Sequence, residues 1–303
     1  MIGTLRRLGN ARLRAPLRGA ATGLAALLLA ACADVFFAAV DSMEPAARAM
    51  LRPNIVFDPQ LHLSLDAYVP DGAAGAPVVV FFYGGSWEGG KRKWYRYVGD
   101  ALAGGGVVVF IPDYRKYPDV RFPAFMQDAA TAVRWARDHA AEFGGDPSRI
   151  FVMGHSAGGQ IAALLACDRR YLDAVGMQPR NLAGMIGVAG AYSFLPFVDD
   201  ETEIFGDSAT ARYDSQPINF VDGDEPPMLL LQGEDDDEVP PSNARAMADR
   251  ASAMDGSAVL KLYPGVGHSS ILLSLARGSH GAPTLADTLA FIADANPSAA
   301  GLR

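Results

Sequence analysis

Cysteine is scarce in this sequence: Cys32 and Cys167 are the only two in 303 residues. A fold held together by a disulfide framework is excluded, and stability must come from a hydrophobic core. Positive charge is also in short supply, since 26 Lys and Arg face 34 Asp and Glu, a formal net charge of −8. Binding to nucleic acid needs a basic surface, so that class of partner is not expected. No internal repeat, low-complexity stretch or acidic block long enough to read as a disordered tail is present. The phosphate-cradling pattern G-x-x-x-x-G-K-[ST] is missing as well, which removes the commonest nucleotide-binding loop. Hydrophobic residues, by contrast, make up 50% of the chain, enough for one large core or at most two modest ones.

Residues 1–31 differ in kind from the rest. "MIGTLRRLGNARLRAPLRGA" carries arginines and no acid, and "ATGLAALLLAAC" then turns small and apolar. That order is the charged and apolar part of an export signal. It ends in Leu29-Ala30-Ala31-Cys32, which resembles the lipobox of bacterial lipoproteins, in which the cysteine is lipidated and becomes the new N-terminus. The expectation is an exported protein, periplasmic or tethered to the membrane through lipidated Cys32. Cleavage after Ala33 and an uncleaved anchor over 20–40 are the alternatives, the latter opposed by Asp34. Arg6-Arg7 suggests a twin-arginine signal, but the residues after it fit poorly. With Cys32 lipidated or removed, no intrachain disulfide can form. Cys167, among Ala162, Ala163, Leu164 and Leu165, reads as a buried, inert thiol.

Beyond a polar connector, 32–60, "LHLSLDAYV" alternates as a strand does. "VVVFFY", "VVVFIP", "IFVMG" and "MLLLQG" are continuous apolar runs, the pattern of strands covered on both faces. "MIGVAG" and "VLKLY" add two more. Between Pro123 and Phe143, Met126, Ala129, Ala130, Val133, Ala136 and Ala140 recur at helical spacing, with proline opening the helix and Gly144-Gly145 closing it. Strands alternating with helices predict an α/β fold: a mostly parallel, twisted sheet with helices on both faces. The expected organisation is one domain over 61–295 and a short tail over 296–303.

Within this pattern, Gly154-His155-Ser156-Ala157-Gly158 joins the strand "IFVMG" to the helix "QIAALLA". G-x-S-x-G between a strand and a helix is the arrangement of a nucleophile elbow, which presents a hydroxyl at a helix N-terminus. A serine needs a base, and five histidines compete. His62 lies on the alternating strand, His139 on the outer helix, and His155 beside the serine, where a tight turn is expected to point neighbouring side chains apart. His268 follows the last strand through the small-residue loop "PGVG" and is preferred, with His280 second. The base needs an acid, and "EDDDE" (Glu234, Asp235, Asp236, Asp237 and Glu238) follows the strand "MLLL" between serine and histidine in sequence. Read as a solvated loop or weak cation site, the run would need no such role; no metal site is expected. The glycines of "YGGSWEGG" allow backbone N–H groups to approach a substrate.

The ordered set "YGGSW", "DYRKYPDVRFPAFMQDAATAVRW", "GGDPSRIFVMGHSAGG", "PPMLLLQGEDDDEVPPSN" and "YPGVGHSS" resembles the α/β-hydrolase esterases. The resemblance is in particular to the branch that includes the hormone-sensitive-lipase-like enzymes, kynurenine formamidases and related bacterial carboxylesterases. The resemblance implies a catalytic triad of Ser156, Asp236 and His268, the acid being fixed by a G-x-x-D-x-x-V pattern from Gly233 to Val239. It also implies oxyanion donors at Gly85, Ser86 and Ala157, with no cofactor. Tyr83 stands where the family's loop-bracing histidine is usual. Trp87, Tyr192 and Phe194 are candidates to wall a substrate pocket. Little sequence is left for a cap, so short-to-medium carboxylic esters are the expected substrates. A formamide hydrolase, a catalytically silent scaffold and a tethered partner-binding protein are the alternatives. Neither the physiological ester nor an oligomeric state follows from the sequence.

Overall fold

The computed structural model describes residues 34–42, 49–198, 200–279 and 281–295. The expected signal, Cys32, His280 and the tail lie outside the described residues. Eight strands form one sheet: β1 (Ala49–Asp58), β2 (Leu63–Pro70), β3 (Ala76–Phe82), β4 (Val108–Pro112), β5 (Gly145–His155), β6 (Leu182–Val188), β7 (Met228–Gly233) and β8 (Ala258–Tyr263). Their order is β1-β2-β4-β3-β5-β6-β7-β8. The β1–β2 and β2–β4 pairings are antiparallel, and every pairing from β4 to β8 is parallel. The apolar runs occupy the parallel centre, where β4, Val78–Phe82 of β3 and Ile150–His155 of β5 are buried on both faces.

Ten helices pack around the sheet among the described residues: α1 (34–42), α2 (Arg96–Gly104), α3 (Ala124–His139), α4 (Ala157–Cys167), α5 (Arg169–Asp173), α6 (Glu201–Phe205), α7 (Ala209–Asp214), α8 (Ser242–Ala253), α9 (His268–Leu273) and α10 (Thr284–Asp294). In α3 the expected stripe is buried: Met126, Ala129, Ala130, Val133 and Ala136 all face inward, with Ala140 just beyond the helix. Burying a side chain the size of Met126 or Val133 contributes roughly 1.5–3 kcal/mol. Gly144 takes φ 74° after a closing 3-10 turn, so the predicted stop is a left-handed cap.

The connector expected over 32–60 is corrected. Residues 49–58 are strand β1, paired with β2 along most of its length. Its alternation is blurred because an edge strand leaves much of itself in solvent, as Met50 and Val56 do. Ahead of it, α1 docks on the segment before α2: Phe37 stacks on Trp94 and Tyr95 at 5.5 and 5.9 Å. Cys167 is buried, and burial pushes its thiol pKa well up.

Candidate active site

Parallel pairing brings the ends of β3, β5, β7 and β8 to one edge of the sheet. Phe82 pairs with Gly154, His155 with Val188, and Gly233 with Tyr263. Loops leaving these ends carry every residue singled out for chemistry. The chain reverses direction across the sheet on either side of β3, the kind of crevice in which open α/β folds bind ligands.

The elbow is the tightest of these turns. Ser156 sits at φ 55°, ψ −121°, a region a side chain occupies only under strain, costing on the order of 1–3 kcal/mol. Its neighbours explain the glycines. A Cβ on Gly154 would lie 2.0 Å from the Gly158 carbonyl oxygen, and one on Gly158 would lie 2.0 Å from that of Phe82. No side chain fits either place. The turn is held by the Ser156 N–H on the Val188 carbonyl (3.0 Å) and by the Ser156 carbonyl accepting from Gly159 and Gln160. Ser156 thereby caps α4, and the Ala157 N–H stands at the positive end of the helix.

In the acidic loop the five carboxylates separate cleanly. Glu234, Asp235, Asp237 and Glu238 are exposed, whereas Asp236 is buried. Its Oδ2 accepts from His268 Nδ1 and from Gln232 Nε2, each at 2.9 Å. The other oxygen, Oδ1, accepts from the Val239 and Glu238 N–H groups at 2.8 and 3.1 Å. Burial works to raise the Asp236 pKa, but the hydrogen bonds from His268, Val239 and Gln232 outweigh it and hold the carboxyl below its ordinary value. With Nδ1–H committed to Asp236, the neutral His268 ring leaves Nε2 as a free acceptor. That nitrogen lies 3.9 Å from Glu238 Oε2. Ser156 Oγ makes no side-chain hydrogen bond to it in this structure, a contact that in ligand-free enzymes is often long.

After β3 the backbone takes three successive positive φ values, 125° at Gly85, 51° at Ser86 and 59° at Trp87. The Gly85 carbonyl accepts from Glu88 and Gly89, which folds the loop back on itself and leaves the Gly85 and Ser86 N–H groups without a backbone acceptor among the described residues. Tyr83, in place of the family's histidine, is buried between the rings of Tyr95 and Tyr114. Its hydroxyl donates to Asp113 (3.1 Å) and accepts from Lys116 Nζ (3.0 Å). Burial holds the phenol pKa well up and draws that of Lys116 down. Tyr114 and Tyr95 donate to the Tyr83 and Gly84 carbonyls at 2.8 and 3.4 Å. The phenol braces the loop by a different set of bonds.

The pocket candidates divide. Trp87 stacks on Phe194 at 5.5 Å and meets Phe205 edge-on, and its Nε1–H donates to Gln160. A cavity of about 470 Å³ opens beside them, lined by Ser86, Trp87, Glu88, Val198, Asp200, Glu201 and Ile204. Tyr192 does not join this wall. It is 1% exposed, with its hydroxyl packed where Gly187 and Gly190 leave room. Phe205 and Phe197, which complete the aromatic wall, leave no periodic signal because α6 is too short to show one and Phe197 lies in the loop before it. Gln232 did leave a signal: a lone polar residue in a buried apolar strand must find partners, and here one is Asp236.

The remaining histidines stand elsewhere or in other roles. His62 is exposed in a turn at φ 55°, and His139 stacks on Trp135 at 4.1 Å. His155 makes no hydrogen bond to the Ser156 side chain among the described residues; its ring packs instead against that of His268 at 4.7 Å. Among the described residues no group of His, Cys, Asp and Glu is placed to hold a metal ion, and no helix is long and apolar enough to cross a membrane.

Sheet order, elbow and the Asp236–His268 pair together define an α/β-hydrolase fold. More narrowly, residues 65–250 match the BD-FAE family model, and the chain belongs to that family. Among curated proteins it is 34% identical over 221 residues to esterase LipC of Mycobacterium tuberculosis, covering 67% of this chain and 55% of LipC. It is 28% identical over 252 residues to a probable isoprenylcysteine alpha-carbonyl methylesterase of Arabidopsis thaliana, covering 74% of this chain and 52% of that protein. The chain thus spans little more than half the length of these relatives. Among solved structures it is similar to Thermogutta terrifontis esterase Est2 with propionate bound, at 25% identity and a TM-score of 0.65, covering 82% of this chain and 93% of that one.

Proposed function

We propose that this protein hydrolyses short-to-medium carboxylic esters through an acyl-enzyme formed on Ser156. The observation that carries the reading is the 2.9 Å bond between Asp236 and His268 Nδ1, made at the same edge of the sheet as the strained serine elbow. In the first half-reaction Ser156 Oγ attacks the ester carbonyl while His268 Nε2 takes its proton. Asp236 holds the tautomer and stabilises the imidazolium. The carbonyl oxygen, now an oxyanion, is received by the N–H groups of Gly85, Ser86 and Ala157. As the tetrahedral intermediate collapses, the bond to the alcohol breaks and His268 returns the proton to the departing oxygen. Water then attacks the acyl-enzyme by the same route, releasing the acid and restoring Ser156.

Trp87, which stacks on Phe194 and lines a cavity of about 470 Å³ with Val198 and Ile204, supports a small acyl or alcohol group, and propionate in the related Thermogutta esterase is consistent with it. A panel of p-nitrophenyl esters, formamides and peptide amides tests the substrate class. Acetate to butyrate esters are expected to have higher kcat/KM than long-chain ones, with formamides lower and peptide amides inert, because a peptide amine must be protonated as it leaves. A kcat/KM for N-formylkynurenine well above that of any simple ester would replace this reading with a formamidase.

The site is also proposed to work outside the cytoplasm, carried by lipidated Cys32. Only one residue separates that cysteine from Asp34, the first described residue. Cys32→Ser is expected to move the protein from membrane to soluble fractions without changing turnover on soluble esters. Unaltered fractionation would contradict the lipid anchor.

A further inference from the structure

His155 takes no part in the steps above, yet it touches the machinery on two sides. Its ring lies against the His268 ring, centroids 4.7 Å apart, and its Nε2 is 3.2 Å from the His268 carbonyl oxygen. A carbonyl only accepts, so Nε2 carries the proton and Nδ1 a bare lone pair. Nδ1 is buried without a hydrogen-bond partner among the described residues. On that side stands Gly84 of the oxyanion loop, where an added Cβ would come within 3.0 Å of Nδ1. The ring is wedged between the loop and the base. Burial, followed by the neighbouring His268, draws the His155 pKa down to about 3, so the wedge stays neutral above that pH. As filler, histidine is a poor choice. An apolar ring would occupy the space without stranding an acceptor.

We propose that His155 is a positioning residue for His268. Its Nε2–H ties the main chain on which the base is mounted, and its ring face limits how far the imidazole can swing. Two charged groups face His268, Asp236 at Nδ1 and Glu238 at 3.9 Å from Nε2. Glu238 is an exposed carboxylate able to draw the ring outward, away from its working position. His155 opposes that movement without adding a charge beside the imidazolium. The inference rests on the reading of His268 as the base.

The test compares His155→Phe with His155→Gln, using p-nitrophenyl butyrate and a thermal melt for each. Phenylalanine keeps the ring and loses the donor, whereas glutamine keeps an N–H at similar reach. His155→Phe is expected to melt near the wild-type temperature and to lose kcat by roughly 10²-fold, the scale of a misplaced catalytic group, with KM unchanged. His155→Gln is expected to recover most of that loss. Wild-type kcat in the phenylalanine variant, or equal loss in both, would overturn the proposal. If the phenylalanine variant does not fold, His155→Asn, whose amide falls short of the carbonyl, takes its place. A kcat below that of His155→Gln supports the proposal, and an equal kcat contradicts it. An inactive Ser156→Ala beside a fully active His155→Phe would leave the esterase reading standing and remove only this inference.

Discussion

Ser156→Ala is expected to lower turnover of a p-nitrophenyl ester by on the order of 10⁶, the loss seen when the nucleophile of such a triad is removed. The fold should be untouched. Alanine keeps the Cβ, so the backbone at φ 55° is no more strained than before, and the bonds holding the turn all run through the main chain. Ser156 Oγ makes no side-chain hydrogen bond among the described residues, so its removal strands no partner in the free enzyme. Loss of rate without loss of melting temperature is the expected pair of results. Activity within tenfold of wild type would end the assignment of the nucleophile.

Asp236→Asn is expected to cost about 10⁴ in kcat. The reason lies in the bonds around the carboxylate. Both oxygens accept, Oδ2 from His268 and Gln232 and Oδ1 from the Val239 and Glu238 N–H groups. An asparagine amide must turn its NH₂ toward one of these sets. Turned toward Val239 and Glu238, it sets donor against donor in a buried place. Turned toward His268, it forces Nδ1 to accept, which places the ring proton on Nε2 and removes the base. Asp235→Asn and Asp237→Asn alter exposed side chains and are expected to leave kcat within about twofold, as surface changes away from such networks do. Sensitivity at Asp235 or Asp237 with indifference at Asp236 would move the acid.

Much of this was legible in the sequence, for identifiable reasons. The central strands and α3 reveal themselves because burial on both faces, or along one stripe, leaves a periodic record. The elbow is legible because only glycine fits where Gly158 meets the Phe82 carbonyl. The choice of Asp236 within a run of five carboxylates came through the resemblance, and burial separates it from its neighbours. Other features left little trace. Strand β1 alternates poorly because it lies at an edge, and the short helices between β6 and β7 hide Phe205. The position of Tyr192 depends on the room left by Gly187 and Gly190, a contact within the fold that spacing alone does not reveal. The contact of His155 with His268 left no trace either, because the loop after β8 brings His268 onto it from another part of the chain.

The central claim is that Ser156 forms a covalent intermediate. The most direct measurement treats the wild-type protein and Ser156→Ala with a fluorophosphonate probe, then digests each and locates the adduct by mass spectrometry. The account predicts one stoichiometric adduct on Ser156 in the wild type, lost in the alanine variant and strongly slowed by Asp236→Asn. An unlabelled wild-type protein that still hydrolyses esters, or an adduct that persists in Ser156→Ala, would contradict it.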